Sequence, residues 1–283
     1  MGSAAKLAGV MVGGWLLVGC GPRDACFPGQ AGTVTRARRD IVGGHLRRAH
    51  AHNDYAHARP LEDALAQGFH SVEADTWLVG NALQVAHWPW EGFRGTLQEL
   101  YLDPLQRRVD ELGSVLGDGE PFVLWLDIKE RNPAYVKALR DALEPYSMLS
   151  VFHADRVEER PVSVVLSGDR AVKRLVVESS GPVRASRDSN DYARDDPPAD
   201  TRWTHYALEW DATVGWDGEG TIPAEALHQL RCTMENAHAT GRRVRFYAVP
   251  EKPAAWDLLL DVGADLVSTD RLEELGAFLR SAP

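Results

Sequence analysis

Apolar and polar residues change period repeatedly along this chain, and each change marks an expected element. Residues 46–52 read as a first strand, and PLEDALAQ (60–67) as a helix that opens on Pro60 and stops at Gly68. Residues 71–78 read as a second strand, with 83–87 a short extended piece after a turn at Asn81. From Thr96 onward, Leu97, Leu100, Leu105, Val109 and Leu112 fall on one helical face, interrupted by Pro104. Residues 122–127 (FVLWLD) are a third strand and 134–143 a helix; 162–167 and 175–178 (LVVE) read as the fourth and fifth strands. Residues 184–202 are too polar to bury an apolar face and are expected as a long loop. Strands over 205–210, 244–249 and 265–269, with helices over 223–240, 254–260 and 272–279, complete the pattern.

Eight strands, most followed by a helix and with no second domain boundary, predict an α/β chain. The expected architecture is a single-domain (β/α)8 TIM barrel over residues 45–283. An open doubly wound sheet would carry a Gly-rich turn after the first strand, and none is present.

The first 44 residues follow a different pattern. Lys6 precedes a short apolar run that ends in Leu17-Val18-Gly19-Cys20, too short to span a membrane. This resembles a lipoprotein signal peptide over residues 1–19, with Cys20 as the lipidated residue. Residues 20–44, rich in Gly, Pro and Arg, then form a linker, and the expected location is a bacterial cell envelope, exported and lipid-anchored. Cys26 and Cys232 either pair in an oxidising compartment or stand as two thiols; their separation offers no zinc-ligand spacing.

The net charge of −10 argues against nucleic acid as a partner, because phosphate backbones need clustered Lys and Arg. A phosphate-bearing small molecule or lipid stays open if a divalent cation supplies local positive charge. The expected protein is a monomer.

A barrel gathers its chemistry at the C-terminal ends of its strands. His52, Asp75, Asp127, Glu178, Glu209, Glu251 and Asp270 are placed at that rim. Glu73 and Asp75 are two apart, so they share a face of the second strand. Two such carboxylates stay ionised together only beside a cation. With Asp127 they offer oxygen ligands to one divalent ion, Mg2+ or Ca2+ rather than zinc. His52 and His87 are the candidates for base and acid, because imidazole titrates near neutrality. Lys129 is placed to offset phosphate charge, and His50 is read as a bystander.

Several motifs together resemble the phosphatidylinositol-phospholipase-C-like phosphodiesterase superfamily, related to glycerophosphodiester phosphodiesterases and sphingomyelinase D. They are HNDY at 52–55, SVEAD with Trp77, VAHW, LYLDPL, LDIK at 126–129, RFYAVPEKPAAW and GADLVSTDRL. The branch is similar to proteins named after altered inheritance of mitochondria protein 6. The resemblance implies a TIM barrel with two catalytic histidines at His52 and His87. It further implies a cation held by Glu73, Asp75 and Asp127, and phosphate contact by Lys129. The reaction it implies is phosphodiester hydrolysis or a cyclising lyase step on a phospholipid or lysophospholipid head group. Glycerophosphodiester phosphodiesterases carry His-Arg where this chain has His52-Asn53, which counts against glycerophosphodiesters as substrates. Two other readings compete. The pair His50 and His52 opens a metal-dependent amidohydrolase site, and a non-catalytic lipid-anchored binding protein would use the barrel as a scaffold.

Overall fold

A computed structural model describes residues 41–281. The expected signal peptide, Cys20, Cys26 and all but the last few residues of the linker lie outside them.

Eight parallel strands form the centre of an eleven-stranded sheet among the described residues. They are β1 (His45–Ala51), β2 (Phe69–Val79), β3 (Phe122–Ile128), β4 (Val162–Gly168), β5 (Ser186–Ser189), β6 (Trp203–Glu209), β7 (Arg243–Tyr247) and β8 (Val267–Thr269). The α-helices of five residues or more are α1 (Glu62–Ala66), α2 (Asp103–Leu112), α3 (Pro133–Leu143), α4 (Arg170–Val177), α5 (Ala224–Ala239), α6 (Pro253–Asp261) and α7 (Leu272–Arg280). Every neighbouring pair from β1 to β7 is parallel. β8 pairs in parallel with β1, and a parallel bridge from Arg245 to Leu266 joins β7 to the approach to β8. The pairings therefore run in a circuit.

We propose that this circuit is the expected (β/α)8 barrel. Two separate apolar groups support it. The larger packs strand residues such as Val72, Ala74, Leu124 and Val164 against helix residues such as Leu139, Leu230 and Leu259. The smaller takes Trp125, Val165 and Ala207 from the strand positions that alternate with these, together with Leu266 just ahead of β8.

The fifth strand is a correction. LVVE is not a strand but lies at the end of α4, and Glu178 is its C-terminal cap residue, ion-paired with Arg174 at 2.8 Å. Asp169 starts that helix by accepting from the backbone N–H of Ala171 and Val172. Val172, Val176 and Val177 then bury one helical face, so packing overrides the strand preference of β-branched residues. The real β5 is Ser186–Ser189, inside the stretch read as a loop. Its buried positions are polar: Asp188 accepts from Lys173 of α4 at 2.5 Å and from the Ser167 hydroxyl at 2.7 Å. A strand whose inward side chains are satisfied by a buried lysine leaves no apolar period to read.

The mouth is shaped by the turn after β1. Asn53 takes a left-handed backbone (φ 48), and Asp54–Ala56 forms a single 3-10 turn. Asp54 is fully buried; its Oδ2 accepts from the Leu61 N–H at 2.6 Å and the Tyr101 hydroxyl at 2.8 Å. Burial, against these two hydrogen bonds, pushes its pKa up to about 6. A carboxyl whose folded pKa is raised favours folding most when protonated, so its penalty appears as pH rises from the unfolded value through about 6. Wild type is therefore expected to gain about 1 kcal/mol in urea-unfolding stability, relative to Asp54→Asn, between pH 7 and pH 5. Equal pH dependence in the two proteins would contradict that assignment.

Candidate active site

Strand register assembles the site. β1 and β8 pair with Ala51 opposite Thr269, so the next residues, His52 and Asp270, meet just beyond them. His52 Nδ1 lies 2.8 Å from Asp270 Oδ1. Asp270 is held in turn by Glu251, whose Oε1 accepts the Asp270 N–H at 2.7 Å and whose Oε2 accepts the Thr269 hydroxyl at 2.6 Å. Burial pulls the His52 pKa down, but the hydrogen bond to Asp270 and the charges of Glu73 and Asp270 outweigh it, and the net shift is upward.

β2 and β3 pair with Asp75 opposite Asp127, which sets the two carboxylates side by side. Lys129 Nζ lies between them, 2.9 Å from Asp75 Oδ2 and 2.8 Å from Asp127 Oδ2. Burial opposes the lysine's charge; Asp127 and Asp75 more than compensate and raise its pKa. Gly168 (φ +78) makes room for Asp127, since a Cβ there would fall 2.0 Å from Asp127 Oδ1.

β2 runs past the ring into an antiparallel hairpin with the strand Ala82–Val85, and this delivers His87. The Ala86 N–H donates to the Asp75 carbonyl and Trp77 Nε1 donates to the Ala86 carbonyl, fixing the approach. His87 Nδ1 lies 2.9 Å from Asp75 Oδ2. Tyr55 joins the same group; its hydroxyl is 2.7 Å from Asp75 Oδ2 and 2.8 Å from Asn53 Oδ1. Burial and the Asp127 charge raise the Asp75 pKa, while Lys129 opposes them. Its Oδ1 is buried with no hydrogen-bond partner.

Glu73 sits deeper. Arg245 of β7 grips it with both terminal nitrogens, Nη1 to Oε2 at 2.9 Å and Nη2 to Oε1 at 2.6 Å. Burial would raise the Glu73 pKa, but Arg245 and His50 hold it well below the ordinary carboxylate value. The guanidinium also lies 4.2 Å from the centre of the Trp125 ring. His50 is no bystander. Its Nε2 accepts from Arg245 at 2.7 Å, and its Nδ1 lies 2.8 Å from the Ser71 hydroxyl. Burial and Arg245 lower its pKa to about 4, so it is neutral at physiological pH. With both ring nitrogens engaged, His50 is closed to the paired-histidine metal site that an amidohydrolase would need.

All six expected site residues, His52, His87, Glu73, Asp75, Asp127 and Lys129, thus come together. Glu73, Asp75 and Asp127 each offer an oxygen within 4.8 Å of the others, a spacing that fits one ion, and the orphaned Asp75 Oδ1 adds an unused acceptor. The cation that these carboxylates are expected to need is supplied in part by the protein itself, because Arg245 pairs with Glu73 and Lys129 lies against Asp75 and Asp127. Of the other expected rim residues, Glu251 positions Asp270, Glu209 is exposed at the end of β6, and Glu178 belongs to α4. Tyr55 and Arg245 were missed. Tyr55 was visible within HNDY, but its reach to Asp75 depends on the left-handed Asn53. Arg245 opens the RFYAVPEKPAAW motif, but nothing local joins it to Glu73 and His50. Among the tryptophans, Trp88 and Trp90 are exposed and stacked at 4.8 Å, with Trp88 edge-on to His87 at 4.9 Å. Trp210 and Trp216 are buried, and Trp203 packs under Arg242, so these three serve the core.

Residues 35–116 match the AIM6-like phosphodiesterase domain. The chain is 26% identical to altered inheritance of mitochondria protein 6 of Lachancea thermotolerans, over 88% of this chain and 69% of that protein. It is 28% identical to the protein of the same name from Eremothecium gossypii, over 92% of this chain and 76% of that one. A homologue from Arthroderma benhamiae is 25% identical over 78% of this chain and 80% of its own length. No solved structure matches significantly. The likeness read from the motifs is thereby borne out: residues 35–116 resemble a phosphodiesterase domain. The expected bacterial envelope location is overturned, because the relatives matched are fungal proteins named for altered inheritance of mitochondria. A four-residue Leu-Val-Gly-Cys motif carries little information against likeness over most of the chain. Among the described residues, no helix is long and apolar enough to cross a membrane.

Proposed function

We propose that this AIM6-like chain hydrolyses or cyclises a phosphodiester, with His52 and His87 as a paired base and acid. One observation carries the reading: each imidazole is tied through Nδ1 to its own aspartate, His52 to Asp270 and His87 to Asp75. An imidazole so held keeps its tautomer and presents Nε2 to a substrate. His52, whose pKa is raised by the hydrogen bond to Asp270, takes the proton from the attacking oxygen, either water or a neighbouring substrate hydroxyl. The new P–O bond forms as the old one breaks, and His87 Nε2 gives its proton to the leaving oxygen. Lys129 faces the charge that develops on the phosphoryl oxygens.

Glu73, Asp75 and Asp127 would hold a divalent cation, Mg2+ or Ca2+, which when bound supplies further positive charge at those oxygens. Lys129 occupies the space between Asp75 and Asp127, so it has to give way to an ion there. Glu73 already gives both oxygens to Arg245, which makes Asp75 and Asp127 the better-placed donors. The exposed Trp88 and Trp90 beside His87 support a substrate with an apolar or cationic group next to the phosphate, such as a phospholipid or lysophospholipid.

The test is turnover of bis-(p-nitrophenyl) phosphate and a lysophospholipid panel by protein stripped with EDTA. Adding Mg2+ or Ca2+ is expected to raise the rate at least ~10-fold. Turnover indifferent to both EDTA and added ions would remove the cation from the proposal. Absence of turnover across the panel would favour a binding protein.

A further inference from the structure

At the opposite end of the strands from His52 and Asp75 is a second cluster with different chemistry. His45 opens β1, His70 stands near the start of β2, and Asp118 lies on the loop before β3. Asp118 Oδ2 lies 2.9 Å from His45 Nδ1 and 2.8 Å from His70 Nε2. The three donor atoms are all within 4.8 Å of one another. The carboxylate is fixed from behind: its Oδ1 accepts from the Glu120 N–H at 3.1 Å and the Ser114 hydroxyl at 3.4 Å, which aims Oδ2 at the two imidazoles. Ser114 is itself buried and accepts from the Gly119 N–H at 2.9 Å. His70 is almost wholly buried, and its other nitrogen, Nδ1, has no hydrogen-bond partner. That ring is therefore held on its polar side through Nε2 alone, toward Asp118. Gly68 (φ +73) brings its backbone against His45, where a Cβ would lie 3.1 Å from His45 Cα. Any larger residue there would displace the ligand.

We infer that His45, His70 and Asp118 form a binding site for a zinc-like divalent ion, separate from the mouth. Two imidazole nitrogens and one oxygen select Zn2+ or Co2+ over Mg2+ and Ca2+, which prefer oxygen alone. Metal–ligand distances of about 2.0–2.1 Å in a tetrahedral shell put neighbouring donor atoms roughly 3.3 Å apart. The present 2.8 and 2.9 Å separations need only a small expansion to reach that. His45 is part-exposed, so a water has access to the fourth position. Loss of one imidazole proton to solvent accompanies binding wherever the bound nitrogen carries it. The ion fastens the starts of β1 and β2 to the loop at 114–120. At the N-terminal face of the strands, such a site serves stability rather than turnover.

The inference does not depend on the phosphodiesterase reading, and its test reads binding and unfolding. Full-length protein, freed of metal with a chelator, is titrated with Zn2+ in an Asp127→Asn background that weakens the mouth. One Zn2+ per chain and a rise in Tm of several degrees are expected. Co2+ in its place is expected to give visible d–d absorption of four-coordinate strength. His45→Gln and Asp118→Asn should each weaken Zn2+ binding at least ~10-fold and abolish the Tm rise, with Mg2+ binding at the mouth of otherwise wild-type protein unchanged. Should the buried Asp118 variant fail to fold, His45→Gln on its part-exposed side chain answers alone, with circular dichroism confirming its fold. Zn2+ binding undiminished in His45→Gln, or no Zn2+ uptake by the parent protein, would overturn the site.

Discussion

Replacing His52 with alanine is expected to lower kcat for a phosphodiester about 10³-fold, with a much smaller change in KM. Removing a positioned base costs its proton-transfer contribution, typically 10² to 10⁴. The fold should tolerate it, because His52 is part-exposed at the end of β1 and its partner Asp270 is more exposed still. Asp270→Asn separates positioning from proton transfer. It leaves the imidazole present but withdraws the negative charge that raises its pKa, so the acidic limb of the kcat/KM profile should move to lower pH. A His52→Ala protein with wild-type kcat would end the acid–base assignment. An unchanged profile in Asp270→Asn would reduce that aspartate to a structural contact.

The largest effect on stability is expected at Arg245. Arg245→Met leaves Glu73 ionised and buried with no matching charge, and the pair is almost wholly enclosed. Breaking such a pair by removing one partner costs about 3–5 kcal/mol. For a chain of this size that corresponds to a fall in Tm of roughly 10 °C. The double variant Arg245→Met with Glu73→Gln removes both charges and should recover much of the loss, as a double-mutant cycle in denaturant would measure. The pH dependence has a definite sign. Glu73 is held below its ordinary value, so the pair's contribution is complete at neutral pH and above the unfolded carboxylate value. It is lost only as pH falls through the depressed folded value. An Arg245→Met protein as stable as wild type would mean that water or a proton reaches Glu73 and that the pair is not sealed. The same pair explains why His50 is neutral and why a metal is not required to keep Glu73 charged.

Local sequence determined a good deal of this protein. Alternation in SVEAD put Glu73 and Asp75 on the face opposite Val72 and Ala74, because successive strand side chains point to opposite sides whatever surrounds them. Seven of the eight expected strands, the Pro and Gly helix boundaries and the two histidines flanking the acidic residues were legible for the same reason: period and turn chemistry act over a few residues. The fifth strand was not legible, because Ser186 and Asp188 are buried by pairing with Thr204 and Lys173, and polar satisfaction across elements leaves no apolar period. The partners of the site residues were decided only by tertiary structure. Register between β1 and β8 joined His52 to Asp270, and register between β2 and β3 set Asp75 beside Asp127 for Lys129 to bridge. The chain's return along β7 brought Arg245 to Glu73 and His50. Which residues carry charge is written in the chain. Which charges neutralise one another depends on distances that only the paired strands create.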